Sequence, residues 1–167
     1  MTIYKTINRV NLVQPSTRVY ANNGQHAEYV ARFTLTGSTS WADNVPAHVA
    51  ADCQDIQIKS QRASICRIMG YDIPLEIAEH LKNDRASRYG YVTKDFQHMY
   101  IMSPTTYLDF VRTFGTLDRD STGARGAKHT TNAGTTGGRG GSNGGRHKWR
   151  LKRETPQMLA WLEERTR

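Results

Sequence analysis

The chain has 167 residues, a net charge of +8 and a hydrophobic fraction of 37%. This length suits a single domain with a sizeable core, but the low hydrophobic fraction indicates that part of the chain lies outside that core. No apolar run approaches the roughly 20 residues that a membrane span requires, and the first residues lack the apolar segment of a signal peptide. These features argue against a membrane or secreted protein, and we expect a soluble cytoplasmic one.

The positive charge is concentrated near the carboxyl-terminal end. Eight Lys and Arg residues lie between positions 121 and 153, where no acidic residue occurs, and the remainder of the chain is formally neutral. A local basic excess of this size favours a polyanionic partner, most simply nucleic acid.

The first predicted element is a helix over residues 25–35. Its apolar side chains recur at helical spacing, and Gly37 is a suitable stop. Glu28 and Arg32 lie one turn apart on this helix, so we expect them to pair.

Short strands follow the helix. Residues 48–51 and 55–60 have strand-like composition, and residues 63–66 are expected to continue the same sheet. Residues 74–82 then predict a second helix that has proline in its first turn.

A β-hairpin is the clearest pattern in the second half of the chain. Residues 87–93 and 96–102 are rich in tyrosine and apolar residues, with polar residues at the turn between them. Ser103 then predicts a helix cap, because proline follows it at the first helical position. The helix over residues 105–114 is expected to end at Gly115.

The last part of the chain combines a loop, a strand and a helix. Residues 116–146 are rich in Gly, Ser, Thr and Asn, which predicts a long flexible basic loop. A basic strand and a final helix over residues 147–167 are expected to pack back on the core formed by residues 1–115. The order of elements predicts an α+β, or mixed α/β, domain with a small central mixed sheet flanked by helices.

Three polar side chains share one side of the strand predicted at residues 55–60. Asp55, Gln57 and Lys59 alternate with Ile56 and Ile58, so the two sets face opposite sides of the strand. A carboxylate and an amide oxygen can bind a hard divalent cation, and a lysine beside them can hold a phosphate or a water. These are the parts that metal-assisted phosphodiester cleavage requires. The alternative is a half-exposed strand with a solvated polar face.

This strand and the helix before it resemble the active-site signature of the PD-(D/E)XK nuclease superfamily. In that family an acidic residue precedes a strand that carries an acid, any residue and lysine, and some branches replace the second acid with glutamine. Gln57, Ile58 and Lys59 match the glutamine variant. Glu28 lies where the family often has a glutamate on the preceding helix.

The identity of the first acid of this motif is left open by the sequence. Asp55 shares a face with Gln57 and Lys59 if the strand is regular. Asp52 fits better if a bend or bulge follows it. Asp43 is a third candidate, at a spacing more usual for the family.

The resemblance implies a restriction-endonuclease-like core and a Mg²⁺-dependent DNA endonuclease, with Mn²⁺ as an alternative ion. It implies that Asp55 or Asp52, Gln57 and Glu28 hold the metal, and that Lys59 orients the attacking water. The expected substrate is duplex DNA, and cutting both strands favours a homodimer. Such an enzyme would be bacterial or phage-encoded.

The basic residues are candidates for contacts with the DNA backbone, because spaced Lys and Arg side chains neutralise phosphates. A nucleic-acid-binding protein without catalysis is the alternative function, since it would need the same flexible basic arm. The candidate contact residues are Arg62, Arg125, Lys128, Arg139, Arg146, Lys148, Arg150, Lys152 and Arg153.

Overall fold

The computed structural model describes residues 3–15, 23–38, 52–61, 64–66, 88–118 and 148–167. Helices and strands are both present in these ranges, and four strands follow the first helix. In chain order, the described elements are β1 (Asn8–Asn11), α1 (Asn23–Thr36), β2 (Ile56–Ser60), β3 (Ser64–Cys66), β4 (Arg88–Val92), β5 (His98–Met102), α2 (Pro104–Phe114), β6 (Gly115–Asp118), β7 (Lys148–Leu151) and α3 (Pro156–Glu164).

The chain divides into two compact units. The first unit comprises residues 1–62, 85–107 and 153–167, and the second comprises residues 63–84 and 108–152. The mixture of helices with small sheets confirms the predicted α+β class.

A four-stranded sheet forms the centre of the first unit. Its strand order is β1-β5-β4-β2. β2 runs parallel to β4, and the other neighbouring pairs are antiparallel. The predicted mixed sheet and the predicted hairpin of β4 and β5 are therefore confirmed.

Helix α1 packs on one face of this sheet. Ala27, Val30 and Ala31 share a buried apolar cluster with Ile56 and Ile58 of β2. Exclusion of these side chains from water is the main stabilising contribution to this contact. The predicted helix is confirmed with slightly longer bounds.

The stop predicted for α1 is also confirmed. Gly37 has a φ of +78°, and its N–H donates to the Phe33 carbonyl at 2.9 Å. A residue with a side chain rarely adopts this left-handed conformation, which explains why glycine ends the helix here.

The carboxyl-terminal segment contacts the other face of the sheet. Tyr91 of β4 and Tyr100 of β5 are cross-strand partners, so their side chains share a face. The Tyr91 hydroxyl donates to Glu154 at 2.9 Å, and the Tyr100 hydroxyl donates to Glu163 of α3 at 2.5 Å. Burial, and then the neighbouring carboxylate, raise the pKa of each tyrosine, so both remain neutral donors at ordinary pH.

Side-chain caps begin helices α2 and α3 in the second half of the chain, and the cap predicted at Ser103 is confirmed. The Ser103 hydroxyl accepts from the Thr106 N–H at 3.1 Å, and α2 begins at Pro104. The Thr155 hydroxyl accepts from the Met158 N–H at 3.3 Å at the start of α3. A side-chain oxygen at this position satisfies one of the N–H groups that the first turn leaves without a helical partner.

A three-stranded antiparallel sheet with the order β3-β7-β6 lies in the second unit. Two expectations are wrong here: β3 does not continue the sheet of β2, and residues 116–118 are strand rather than loop. β6 follows α2 directly at Gly115, where a Cβ atom would lie 2.5 Å from the Val111 carbonyl oxygen. Glycine therefore permits the abrupt change from helix to strand, and no loop is needed.

Several sequence expectations fall on other parts of the chain. The strand predicted at residues 48–51, the helix predicted at 74–82 and the loop from residue 119 to 146 lie outside the described residues. None of the helices in the described ranges is long and apolar enough to cross a membrane.

We predict that Tyr91→Phe lowers the free energy of unfolding by about 1–3 kcal/mol, because Glu154 loses a buried hydroxyl donor. The raised pKa of Tyr91 stabilises the fold fully below the usual tyrosine pKa, and this contribution is lost as the pH rises above about 10. The variant should therefore show a shallower alkaline loss of stability. Chemical denaturation from pH 7 to 11 measures both effects.

Tyr4→Phe is the matched control, since 75% of Tyr4 is exposed. Equal stability losses in the two variants, or an unchanged alkaline slope for Tyr91→Phe, would contradict this role of the Tyr91 hydroxyl.

Candidate functional site

A tight turn places Asp52 beside β2. The Asp52 and Cys53 N–H groups both donate to the Ile56 carbonyl at 3.1 Å, and the Ile56 N–H returns a bond of 2.8 Å to Cys53. Gln54 has a φ of +54°, which lets the chain reverse within so few residues. The chain therefore bends before β2, as expected if Asp52 belongs to the motif.

The Asp52 side chain is fixed by the strand that follows it. Its Oδ2 atom accepts from the Ile58 N–H at 2.8 Å. Within the described residues β2 is an edge strand, and N–H groups on such an edge need a partner other than a neighbouring strand. The carboxylate supplies that partner and is held against the outer edge of β2.

The Asp55 carboxylate forms an ion pair with Arg88. Its Oδ1 atom accepts from Arg88 Nη2 at 2.7 Å, and its Oδ2 atom accepts from Arg88 Nε at 3.0 Å. The Arg88 N–H also donates to the Asp55 carbonyl at 2.8 Å. This two-pronged ion pair joins the starts of the parallel strands β2 and β4.

Gln57 and Lys59 lie on the face of β2 opposite the buried Ile56 and Ile58, and both are half-buried. The alternation predicted for the strand is thus confirmed from Ile56 onward. In the parallel register Gln57 lies beside Tyr89 and Lys59 beside Tyr91, so these side chains share the face that the carboxyl-terminal segment contacts.

Glu28 projects from α1 into the neighbourhood of Asp52. Burial, followed by the Asp52 carboxylate, raises the pKa of Glu28, while Arg32 and Lys59 act in the opposite direction. The Glu28 carboxylate therefore lies within electrostatic reach of both the Asp52 carboxylate and the Lys59 ammonium group. These three predicted site residues come from α1, the turn and β2. α1 packs on the face of β2 that carries Ile56 and Ile58, whereas Lys59 projects from the opposite face.

Arg32 links α1 to the same turn. Its Nε atom donates to the Asp52 carbonyl at 2.8 Å, and its Nη2 atom lies 3.6 Å from Glu28 Oε2. The predicted pairing of Glu28 and Arg32 is confirmed. The net effect on Glu28 is still a raised pKa, so Arg32 does not fully offset burial and the second carboxylate.

The donor set suits a hard cation with few protein ligands. In the described part of the chain no group of three or more His, Cys, Asp or Glu side chains is arranged to hold a metal ion. Magnesium retains several waters and needs only one or two carboxylates besides substrate phosphates. The Glu28 and Asp52 carboxylates fit that requirement, since each disfavours the charge of the other and a cation would relieve the repulsion.

The predicted DNA-contact residues are only partly described. The side chains of Arg150, Lys152 and Arg153 are exposed, and Lys148 belongs to β7. The other candidates, together with Asp43, lie outside the described residues; these are Arg62, Arg125, Lys128, Arg139 and Arg146.

Sequence reasoning did not find the partner of Asp55. Arg88 lies 33 positions away, and no local pattern joins the two residues. Only the parallel pairing of β2 with β4 brings them together. From the sequence, a bend after Asp52 is only one alternative, and it is the structure that shows the turn there.

Comparison with known proteins gives no relative: no protein-family model matches the chain, and neither a curated protein nor a solved structure does.

We predict that Glu28→Gln raises the free energy of unfolding at pH 7 by up to about 0.5 kcal/mol. The pKa of Glu28 is raised in the fold, so the ionised carboxylate costs stability above that pKa, and the cost disappears below the usual glutamate pKa. The advantage of the variant should therefore vanish as the pH is lowered below about 4. Denaturant titration at several pH values measures it.

Glu164→Gln is the control, because Glu164 is exposed on α3. This variant should have the same free energy of unfolding as the wild type. A loss of stability in Glu28→Gln at pH 7 would mean that the ion pair with Arg32 outweighs burial and the charge of Asp52.

Proposed function

We propose that the protein is a metal-dependent DNA endonuclease that hydrolyses phosphodiester bonds with Glu28, Asp52, Gln57 and Lys59. The observation that supports this proposal is the electrostatic interaction of Glu28 on α1 with both Asp52 in the turn and Lys59 on β2. Two carboxylates and an ammonium group near one another are the charges that cleavage of a phosphodiester requires.

Glu28 and Asp52 would hold Mg²⁺ or Mn²⁺ at the outer edge of β2, and the Gln57 amide oxygen would reach that edge from the opposite face of the strand. The bound ion would supply a Lewis acid and lower the pKa of a coordinated water. The bond from the Ile58 N–H to Asp52 keeps that carboxylate in one orientation. Because this carboxylate is oriented before the substrate binds, the site does not need to reorganise during the reaction.

Lys59 would act on the substrate. Its ammonium group would orient the attacking water and offset the charge that develops on the phosphate oxygens. The strand is a suitable support, because Ile56 and Ile58 anchor its other face in the core. Catalytic geometry is held best by side chains that project from such rigid elements.

The order of elements supports the restriction-endonuclease-like part of the proposal. A helix with Glu28 is followed by a turn with Asp52 and then by a strand with Gln57 and Lys59, within a mixed sheet. Duplex DNA is the proposed substrate and a homodimer the proposed assembly, since one site per subunit would cut each strand.

A nucleic-acid-binding protein without catalysis is the second candidate. Arg32 adjoins both Glu28 and the Asp52 main chain, and a guanidinium could serve as the only cation that these carboxylates require. The exposed side chains of Arg150 and Arg153 would then contact nucleic acid with no hydrolysis.

We predict that the wild-type protein nicks or linearises supercoiled plasmid in Mg²⁺, and that Lys59→Ala and Asp52→Asn each reduce the rate by about 100-fold or more. EDTA should abolish the reaction. Gel densitometry of single-turnover time courses measures the rates.

Asp55→Asn is the matched control, since it removes the neighbouring carboxylate that pairs with Arg88. The substitution should lower the free energy of unfolding by about 1 kcal/mol, and the folded protein should still cleave DNA. Cleavage that survives in Asp52→Asn but not in a folded Asp55→Asn would reverse the assignment. DNA binding by the wild type without cleavage in either Mg²⁺ or Mn²⁺ would establish the second candidate instead.

A further inference from the structure

We propose that Lys94 and Arg153 form a phosphate-binding rim at the carboxyl ends of β2 and β4, which leads a nucleic-acid backbone toward Lys59. This inference rests on the proposed function, because Lys59 is the catalytic residue there. Lys94 and Arg153 together are the phosphate rim.

The position of the rim follows from strand direction. β2 and β4 are parallel, and Ser60 pairs with Val92 at their last residues, so both strands end at the same edge of the sheet. Gln61 follows β2, and the turn that contains Lys94 follows β4. The residues after each strand are therefore neighbours.

Glu154 ties a third segment to these two strand ends. Its N–H donates to Gln61 Oε1 at 3.4 Å. Its Oε2 atom accepts from the Lys94 N–H at 3.0 Å and from the Tyr91 hydroxyl at 2.9 Å. Arg153 precedes Glu154 in the chain, so the main chain at Arg153 is fixed close to the main chain at Lys94.

The two basic side chains extend from this junction into solvent. Lys94 and Arg153 are both exposed, and the bond at Lys94 involves only its main-chain N–H. The acids nearby are turned to protein partners: Glu154 as described, and Asp95, which accepts from the Thr93 hydroxyl at 2.6 Å and from the Gln97 N–H at 3.0 Å. Lys94 and Arg153 therefore supply the exposed cations of the junction, and Asp95 is its exposed acid.

The rim and Lys59 lie along one path. Lys59 is the register partner of Tyr91, so the two side chains stand on the same face of adjacent strands, roughly 5 Å apart at the backbone. The Tyr91 hydroxyl donates to Glu154, and Glu154 directly follows Arg153 in the chain. The main chains that carry Lys59, Lys94 and Arg153 thus lie near one another at the ends of β2 and β4, and in the proposed rim their charges contact successive phosphates of one backbone.

The test is the salt dependence of binding. Lys94→Gln and Arg153→Gln remove one charge each and leave the main-chain bonds of the junction intact. Each contact to a duplex phosphate contributes about 0.9 to the slope of log K against log salt concentration, and each contact to a single strand about 0.7. Fluorescence anisotropy with labelled duplex DNA, single-stranded DNA and RNA in EDTA measures binding without cleavage.

Lys5→Gln is the matched control. Lys5 is also an exposed lysine, and its interaction with Arg167 uses the Lys5 main-chain carbonyl. We expect the slope of log K against log salt concentration to become shallower in each rim variant by the contribution of about one phosphate contact. In the double variant it should become shallower by about two contacts, while Lys5→Gln matches the wild type. The nucleic acid that the wild type binds with the highest affinity at one salt concentration is the preferred backbone.

The rim is refuted if its variants match Lys5→Gln, or if the wild type binds none of the three nucleic acids. These outcomes are separable from failure of the proposed function. A wild type that binds through the rim but cuts nothing in Mg²⁺ refutes the nuclease and leaves the rim, whereas cleavage that persists with unchanged slopes in the rim variants refutes the rim alone.

Discussion

The hydrogen bond from the Ile58 N–H to the Asp52 carboxylate is the interaction on which the proposed site depends. It satisfies a main-chain donor on the outer edge of β2 and at the same time fixes an acidic side chain there. The Arg32 side chain adds a second link, because it binds the Asp52 carbonyl from α1. Glu28 is one turn away on the same helix, and its Oε2 atom lies 3.6 Å from Arg32 Nη2, so Arg32 contacts both the Glu28 carboxylate and the Asp52 main chain.

This arrangement is costly to stability in one respect. Glu28 is half-buried beside a second carboxylate, and both conditions raise its pKa. Natural proteins retain such unfavourable charges chiefly where function requires them. Asp55 shows the contrast, because its carboxylate is matched by the two-pronged contact with Arg88 and serves to join the strand starts.

Much of the first unit follows from local sequence patterns. The stripe of α1 with its glycine stop, the alternation in β2 and the cap at Ser103 all depend on neighbours within a few residues, and all three predictions agree with the structure. The pairing of Asp55 with Arg88 could not be predicted from the sequence, because strand pairing alone brings the two residues together. The separate sheet of β3 and the strand at residues 116–118 were missed for the same reason: strand partners distant in sequence decide them.

The central claim is that Glu28 and Asp52 share one divalent cation. Anomalous X-ray scattering from crystals soaked in Mn²⁺ tests it most directly. We expect a manganese peak within ligand distance of both carboxylates in the wild-type protein and no peak in Asp52→Asn. A wild-type map without manganese at this place, with the Arg32 guanidinium closed onto both carboxylates instead, would contradict the claim.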